Sequence, residues 1–255
     1  MPSSFRGHRH ELGQNHLIDR GVAARIAGLV PPGAVLELGA GDGALTRLLA
    51  ARPWPVTAVE LDPARVEALR RGLGRGVRVV HADMLRFPLA GDHHVVSNVP
   101  FGITTAVLRR LLAQRSWMTA VLLLQWEVAR KRAAVGGTTL LTASWWPWFE
   151  FDLAGRVPAA AFRPRPAVDG GLLVVRRRAV PLVDPGQRAA YQHLVRTAFA
   201  GDRLLPALRR VPGADRWAAV ERVPRSVRPR DLRAEAWASL HRAVSGARRL
   251  PERRG

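Results

Sequence analysis

Glu37-Leu38-Gly39-Ala40-Gly41-Asp42-Gly43 closes a short apolar run that starts at Ala34, and this junction decides the fold. Glycines let a chain turn sharply and let backbone approach a ligand closely. A strand that runs into such a loop marks an open parallel sheet, which binds ligands at the carboxyl ends of its strands. Gly39, Gly41 and Ala44 also satisfy the dinucleotide fingerprint G-x-G-x-x-G/A, so glycine spacing leaves two ligand classes open. Charge separates them. A pyrophosphate at a helix N-terminus is disfavoured by acidic neighbours, and this loop carries Glu37 and Asp42. Two acids suit a cationic ligand instead, such as the ammonium and sulfonium of S-adenosylmethionine. A nicotinamide dehydrogenase is the competing reading, with nothing in the chain resembling a hydride-acceptor site.

Outward from the loop, strand and helix patterns alternate. Strands are expected near 55–60, 77–81, 94–98 and 118–125, and helices near 44–51, 63–72, 104–114 and 127–134. Asp62-Pro63 is a helix start, with Asp as N-cap and Pro in the first turn. Such alternation predicts an α/β, Rossmann-like sheet with helices on both faces. Two more strand-like runs, 139–157 and 168–176, flank the Pro-rich Phe162-Arg163-Pro164-Arg165-Pro166. Beyond Pro181 the pattern is helical only, near 185–199, 203–210, 214–221 and 229–245. The expected organisation is a basic arm over 1–12, a cofactor-binding catalytic domain over 13–178, and a small Arg-rich helical domain with a basic tail over 179–255.

The strand ends supply the remaining cofactor candidates. Strand two ends in Val59-Glu60-Leu61-Asp62. An acid at that tip can accept from both ribose hydroxyls, and Glu60 takes this role because Asp62 caps the helix. Strand three leads to Ala82-Asp83-Met84, where Asp83 can accept from an adenine amino group or serve as an ordinary turn residue. The cofactor set is therefore Glu37, Gly39, Gly41, Asp42, Gly43, Glu60, Leu61, Asp83, Met84 and Asn98.

Strand four ends in Ser97-Asn98-Val99-Pro100-Phe101, the most specific motif in the chain. An exocyclic adenine nitrogen is a poor nucleophile because its lone pair is delocalised into the ring. With an activated methyl donor, the remaining task is alignment and stabilisation of the charge that builds on N6. The Asn98 side-chain oxygen and the Val99 carbonyl can accept the two amino hydrogens and aim the lone pair. Pro100 stiffens the loop, and Phe101 offers a face to an unstacked base. The chemistry needs no metal.

Composition agrees with a polyanionic partner. The 255 residues carry 40 Lys+Arg against 20 Asp+Glu, a net charge of +20 that repels itself unless nucleic acid offsets it. Lys131 is the only lysine, a usage that reflects a GC-rich genome rather than chemistry. The absence of cysteine excludes disulfides, a thiol nucleophile and a Cys-based zinc site. Met1–Glu11 lacks the apolar centre of a signal peptide, and the apolar stretch Trp117–Trp126 is about half the ~20 residues of a membrane span. A cytoplasmic location, no membrane contact and a monomer are expected.

Taken in order, these motifs resemble the Erm-type 23S rRNA adenine-N6 methyltransferases, relatives of the KsgA-type small-subunit rRNA dimethyltransferases. The resemblance spans about 9–176 and rests on Gln14-Asn15, the glycine loop, Glu60, Asp83, Asn98–Phe101 and Phe162-x-Pro164-x-Pro166-x-Val168. It implies S-adenosylmethionine as methyl donor, mono- or dimethylation of one adenine in 23S rRNA, and resistance to macrolide, lincosamide and streptogramin B antibiotics. It further implies that Gln14, Asn15, His16 and Leu17 close over the cofactor, and that Phe162 faces Phe101 across the target base. His16 stands where the family usually has Phe, and Gly170 where it has a small polar residue. RNA contacts are expected from Arg6, Arg9, Arg130, Lys131, Arg132, Arg163 and Arg165. The alternatives are a KsgA-like enzyme of ribosome assembly and a nucleic-acid-binding protein that keeps the fold without catalysis.

Overall fold

The computed structural model describes residues 15–74, 76–114 and 116–247, so Arg6, Arg9 and Gln14 lie outside the described residues. By its internal contacts the chain forms two compact units. One comprises the residues up to Ala129 with Asp152–Arg176, and the other Arg130–Phe151 with the chain from Arg177 onward. In this division residues 130–151, expected in the catalytic domain, group with the chain from Arg177 onward.

The first unit is built on the expected α/β sheet. Strands β2 (Val35–Leu38), β3 (Val56–Glu60), β4 (Val77–His81), β5 (His94–Asn98) and β6 (Thr119–Gln125) run parallel. With β7 (Phe149–Val157) and β9 (Gly170–Arg177) the spatial order is β4-β3-β2-β5-β6-β9-β7, and β9 lies antiparallel to β6. Strands β2 and β6 are buried along nearly their whole length, which is why they read as continuous apolar runs rather than alternating ones. The chain moves outward from β2 through β3 to β4, then returns to place β5 on the other side of β2. The order therefore reverses between β2 and β5. There the loops after the two strands diverge and leave a crevice. The Ser97 hydroxyl donates to the Leu38 carbonyl at 2.6 Å, tying the two strand ends together beneath that crevice.

Local signals set the helices. Asp19 caps α1 (Arg20–Gly28) by accepting from the Val22 amide at 2.9 Å. Asp62 caps α3 (Pro63–Gly72), accepting from the Ala64 amide at 2.8 Å, with Pro63 in the first turn as expected. Helices α2 (Ala44–Ala50), α4 (Thr104–Ala113) and α5 (Trp126–Arg132) complete the alternation.

A small ladder outside the main sheet was not expected. β1 (His16–Leu17) pairs antiparallel with β8 (Phe162–Arg163), opposing Leu17 to Phe162 and His16 to Arg163. Its formation gives Phe162 a packing role. The ring is 3% exposed and belongs to a core cluster with Leu17, Ile26, Leu123 and Leu172. A Cβ on Gly170 would come within 3.2 Å of its tip. In this structure Phe162 packs in the core against β1 and is not among the residues that line the pocket between β2 and β5.

In the second unit, α6 (Leu140–Trp145) replaces the first half of the strand expected over 139–157. The hydroxyl of Thr139 caps it by accepting from the Thr142 amide at 3.3 Å. Trp148, within the stretch expected as strand, instead packs against α7 (Arg188–Phe199). Trp148 meets Tyr191 edge-on at 5.4 Å, and the Tyr191 hydroxyl donates to the Ala143 carbonyl at 2.8 Å. Burial pushes the ionisation of that hydroxyl upward. Helices α8 (Leu204–Ala207), α9 (Ala214–Val220) and α10 (Ala234–Ala247) complete this unit. Among the described residues no helix is long and apolar enough to cross a membrane.

Candidate active site

A pocket of about 670 Å³, counting its open mouth, lies in the crevice between β2 and β5. Its lining gathers Asn15, His16, Leu17, Glu37, Gly39, Gly41, Asp42, Met84, Asn98, Val99, Pro100 and Phe101 from the sequence-based candidates. Ala40, Ala44, Leu45 and Arg65 line it as well.

Backbone geometry requires glycine in the loop after β2. Gly39 has φ +75°, and a Cβ there would sit 2.5 Å from the Met84 Cε. Gly41 has φ +54°, and its amide donates to Glu60 Oε2 at 2.7 Å. Gly43 starts α2 on the side facing Leu69 and does not line the pocket.

Glu60 is buried and holds two loops at once. Oε2 takes the Gly41 amide, and Oε1 takes the amides of Leu61 and Asp62 at 2.8 and 2.9 Å. Its carboxylate is thus a strut between the glycine loop and the end of β3, with Leu61 exposed beside it. Asp83 accepts from the Leu85 amide at 2.8 Å, the turn role weighed from sequence, and its other oxygen lies 3.8 Å from Arg86. Met84, rather than Asp83, reaches the pocket wall.

The two acids of the glycine loop separate sharply. Asp42 is exposed and already paired, with Oδ1 3.4 Å from Arg65 Nε and Oδ2 3.5 Å from His16 Nδ1. Glu37 is 1% exposed, and its Oε2 has no hydrogen-bond partner among the described residues. Burial, partly opposed by the nearby Thr46 hydroxyl and reinforced by the Glu60 charge, pushes its pKa up from the ordinary 4.5 to about 8. A buried acceptor without a partner is costly unless a ligand completes it. This orphaned carboxyl on the pocket wall fits a cationic cofactor.

Asn98 sits half-buried at the tip of β5. Its Nδ2 donates to the Asn15 carbonyl at 2.9 Å, which fixes the amide orientation and leaves Oδ1 as the acceptor. Phe101, in a single 3-10 turn over Phe101–Ile103, is half-buried on the same wall. Of the expected RNA contacts, Arg163, Arg165 and Lys131 are exposed. Arg130 is half-buried, and Arg132 donates to the Thr139 hydroxyl at 2.9 Å, which gives it a structural role inside the second unit.

Arg65 is the charged pocket residue that sequence reading missed. One signal existed: it occupies the first turn of α3, which holds no acid, although the helix dipole disfavours a cation there. A cation in that position calls for a compensating partner, and Asp42 is one.

A parallel sheet with a glycine loop, a buried acid and an Asn-x-Pro-Phe tip around one crevice defines a Rossmann-like methyltransferase. The chain belongs to the ribosomal RNA adenine dimethylase family, whose pattern matches residues 6–240, and within it to the Erm type. It is 58% identical over 245 residues to the mycinamicin-resistance protein MyrB of Micromonospora griseorubida, covering 92% of this chain and 79% of that one. An rRNA adenine N-6-methyltransferase of Corynebacterium diphtheriae is 48% identical over 77% of this chain and 79% of its own. The crystal structure of the 23S rRNA methyltransferase ErmE superposes with a TM-score of 0.83 at 33% identity, over 91% of this chain and all of that one. The chain is an rRNA adenine methyltransferase, and S-adenosylmethionine is its methyl donor.

Proposed function

We propose that this enzyme methylates the exocyclic N6 of one adenine in 23S rRNA, once or twice, and thereby confers resistance to macrolide, lincosamide and streptogramin B antibiotics. The observation that carries the chemistry is the Asn98 amide, held by the Asn15 carbonyl so that Oδ1 is its acceptor. When bound, S-adenosylmethionine supplies an electrophilic methyl on a positively charged sulfur. Glu37 offers that cation a buried counter-charge. Asn98 Oδ1 and the Val99 carbonyl accept the amino hydrogens of the target adenine and aim its lone pair. They also stabilise the positive charge that N6 gains on methylation, before its proton passes to water. Phe101 supports the flipped ring from one side. Arg163, Arg165 and Lys131 contribute to phosphate binding, in keeping with the +20 net charge. We place the enzyme in the cytoplasm, acting as a monomer.

The test incubates the protein with labelled S-adenosylmethionine and, separately, protein-free large- and small-subunit rRNA. Label on a single adenine of the large-subunit RNA is the expected result. Label on the small-subunit RNA alone would move the enzyme to ribosome assembly with the chemistry intact.

A further inference from the structure

The segment Asn15–Leu17 forms part of the pocket wall with little secondary structure of its own to stiffen it. Its ends are tied: the Asn98 amide donates to the Asn15 carbonyl, and Leu17 is paired with Phe162. Between them stands His16. A Cβ on Gly41 would lie 3.6 Å from its Nδ1, so the imidazole rests over the glycine loop. Its Nε2 is 2.9 Å from an Arg65 terminal nitrogen. Guanidinium can only donate, so Nε2 is the acceptor and the ring proton of the neutral imidazole sits on Nδ1. That nitrogen points toward Asp42 Oδ2 at 3.5 Å, while Arg65 Nε approaches Oδ1 of the same carboxylate at 3.4 Å. A second arginine steadies the loop from behind, with Arg47 donating to the Asp42 carbonyl at 2.7 Å.

His16, Asp42 and Arg65 thus close a three-membered ring of contacts across the pocket mouth, joining the N-terminal segment, the glycine loop and α3. A phenylalanine at position 16 could cover the loop by apolar contact alone. An imidazole is more strongly hydrated and less apolar, and it stays in place only if its nitrogens find partners there. Arg65 supplies one of them.

We propose that Arg65 is a positioning residue that latches His16 over the glycine loop, so that the Asn15–Leu17 segment closes on S-adenosylmethionine. The proposal rests on the functional reading above, because it presumes that the pocket holds this cofactor. Arg65 lines the pocket and contacts both His16 and Asp42, and the proposal is that its effect on the cofactor runs through His16.

The test measures S-adenosylmethionine binding by isothermal titration for the wild type, Arg65→Met, His16→Phe and the double variant. Arg65→Met should bind about tenfold more weakly, the size of one hydrogen bond to a charged group. The double variant should recover to near the affinity of His16→Phe, because an aromatic lid needs no donor. Wild-type affinity in Arg65→Met would overturn the latch, and so would a double variant as weak as Arg65→Met. If Arg65→Met shows no cooperative unfolding, Arg65→Leu is paired with His16→Phe and judged by the same two outcomes. Failure of the wild type to bind the cofactor would refute the functional reading instead.

Discussion

Replacing Glu37 with Gln should stabilise the cofactor-free enzyme and weaken its cofactor binding together. The side chain is 1% exposed, and burial raises its pKa from 4.5 to about 8. In the unfolded chain it ionises near its ordinary value, so between those limits folding retains a proton that unfolding releases. Stability from this group is fully present below 4.5 and is lost as pH rises toward about 8. At roughly 1.4 kcal/mol per pH decade the whole interval amounts to at most ~5 kcal/mol, of which ~3 kcal/mol falls between about pH 5.5 and pH 8. Glutamine has nearly the same shape and never ionises in this range.

Urea unfolding of the wild type and Glu37→Gln at both pH values reads the effect directly. The advantage of the variant should grow with pH by up to that ~3 kcal/mol. An advantage independent of pH would refute the claim that Glu37 folds as a protonated, poorly solvated acid. Cofactor binding supplies the second arm. A sulfonium or ammonium beside Glu37 favours the ionised form, so binding near neutral pH should release a proton. Titration in two buffers of different ionisation enthalpy counts that proton, and Glu37→Gln should release none.

Asn98→Ala should lower methyl transfer by about 100-fold or more, the typical effect of deleting one polar group aimed at developing charge. Because Asn98 also holds the Asn15 carbonyl, cofactor affinity should weaken a few-fold as well, which titration would detect. Phe101→Ala should lose roughly 5- to 150-fold in activity on RNA, matching ~1–3 kcal/mol of base stacking, while Phe101→Tyr stays near the wild type; equal losses in a methyl-transfer assay would remove the base-platform role. His94 is buried at the start of β5, where desolvation depresses its pKa below 6.5, against a smaller opposing effect from its bond to the Pro32 carbonyl. Its contribution to stability is therefore present above 6.5 and lost on acidification. The advantage of the wild type over His94→Gln should shrink in urea unfolding as pH falls below that value.

What was legible in the sequence was local. Asp62-Pro63 is a helix start whatever surrounds it, and the structure uses it as one. The glycines after β2 and the Asn-Val-Pro-Phe tip of β5 carry their geometry within a few residues, so their meeting in one crevice followed from sheet topology. The features that a local reading does not reach depend on distant partners. Phe162 is buried because Leu17 pairs with it from far away in the chain, and nothing in Phe-Arg-Pro-Arg-Pro announces that strand. Arg65 meets His16 across 49 positions, and Asn98 meets Asn15 across 83. The run 139–157 has strand-like composition, but its first half becomes helix and Trp148 packs on Tyr191. Propensity loses where tertiary packing decides.

The two acids of the glycine loop show how far a charge argument reaches. From sequence, Glu37 and Asp42 were equal reasons to expect a cationic ligand. Asp42 lies in solvent and already faces Arg65 and His16, so an incoming cation gains little from it. Glu37 lies out of solvent with an oxygen unmatched among the described residues, where a single opposite charge counts for most. Identical chemistry five residues apart thus meets two environments: the exposed acid pairs with Arg65 and His16, while the buried one is the counter-charge that the proposed function assigns to the cofactor. On the proposed function, the buried acid that favours a cationic cofactor also destabilises the empty site, and cofactor binding should relieve that cost. Stability and cofactor affinity should therefore move in opposite directions at Glu37 and not at Asp42.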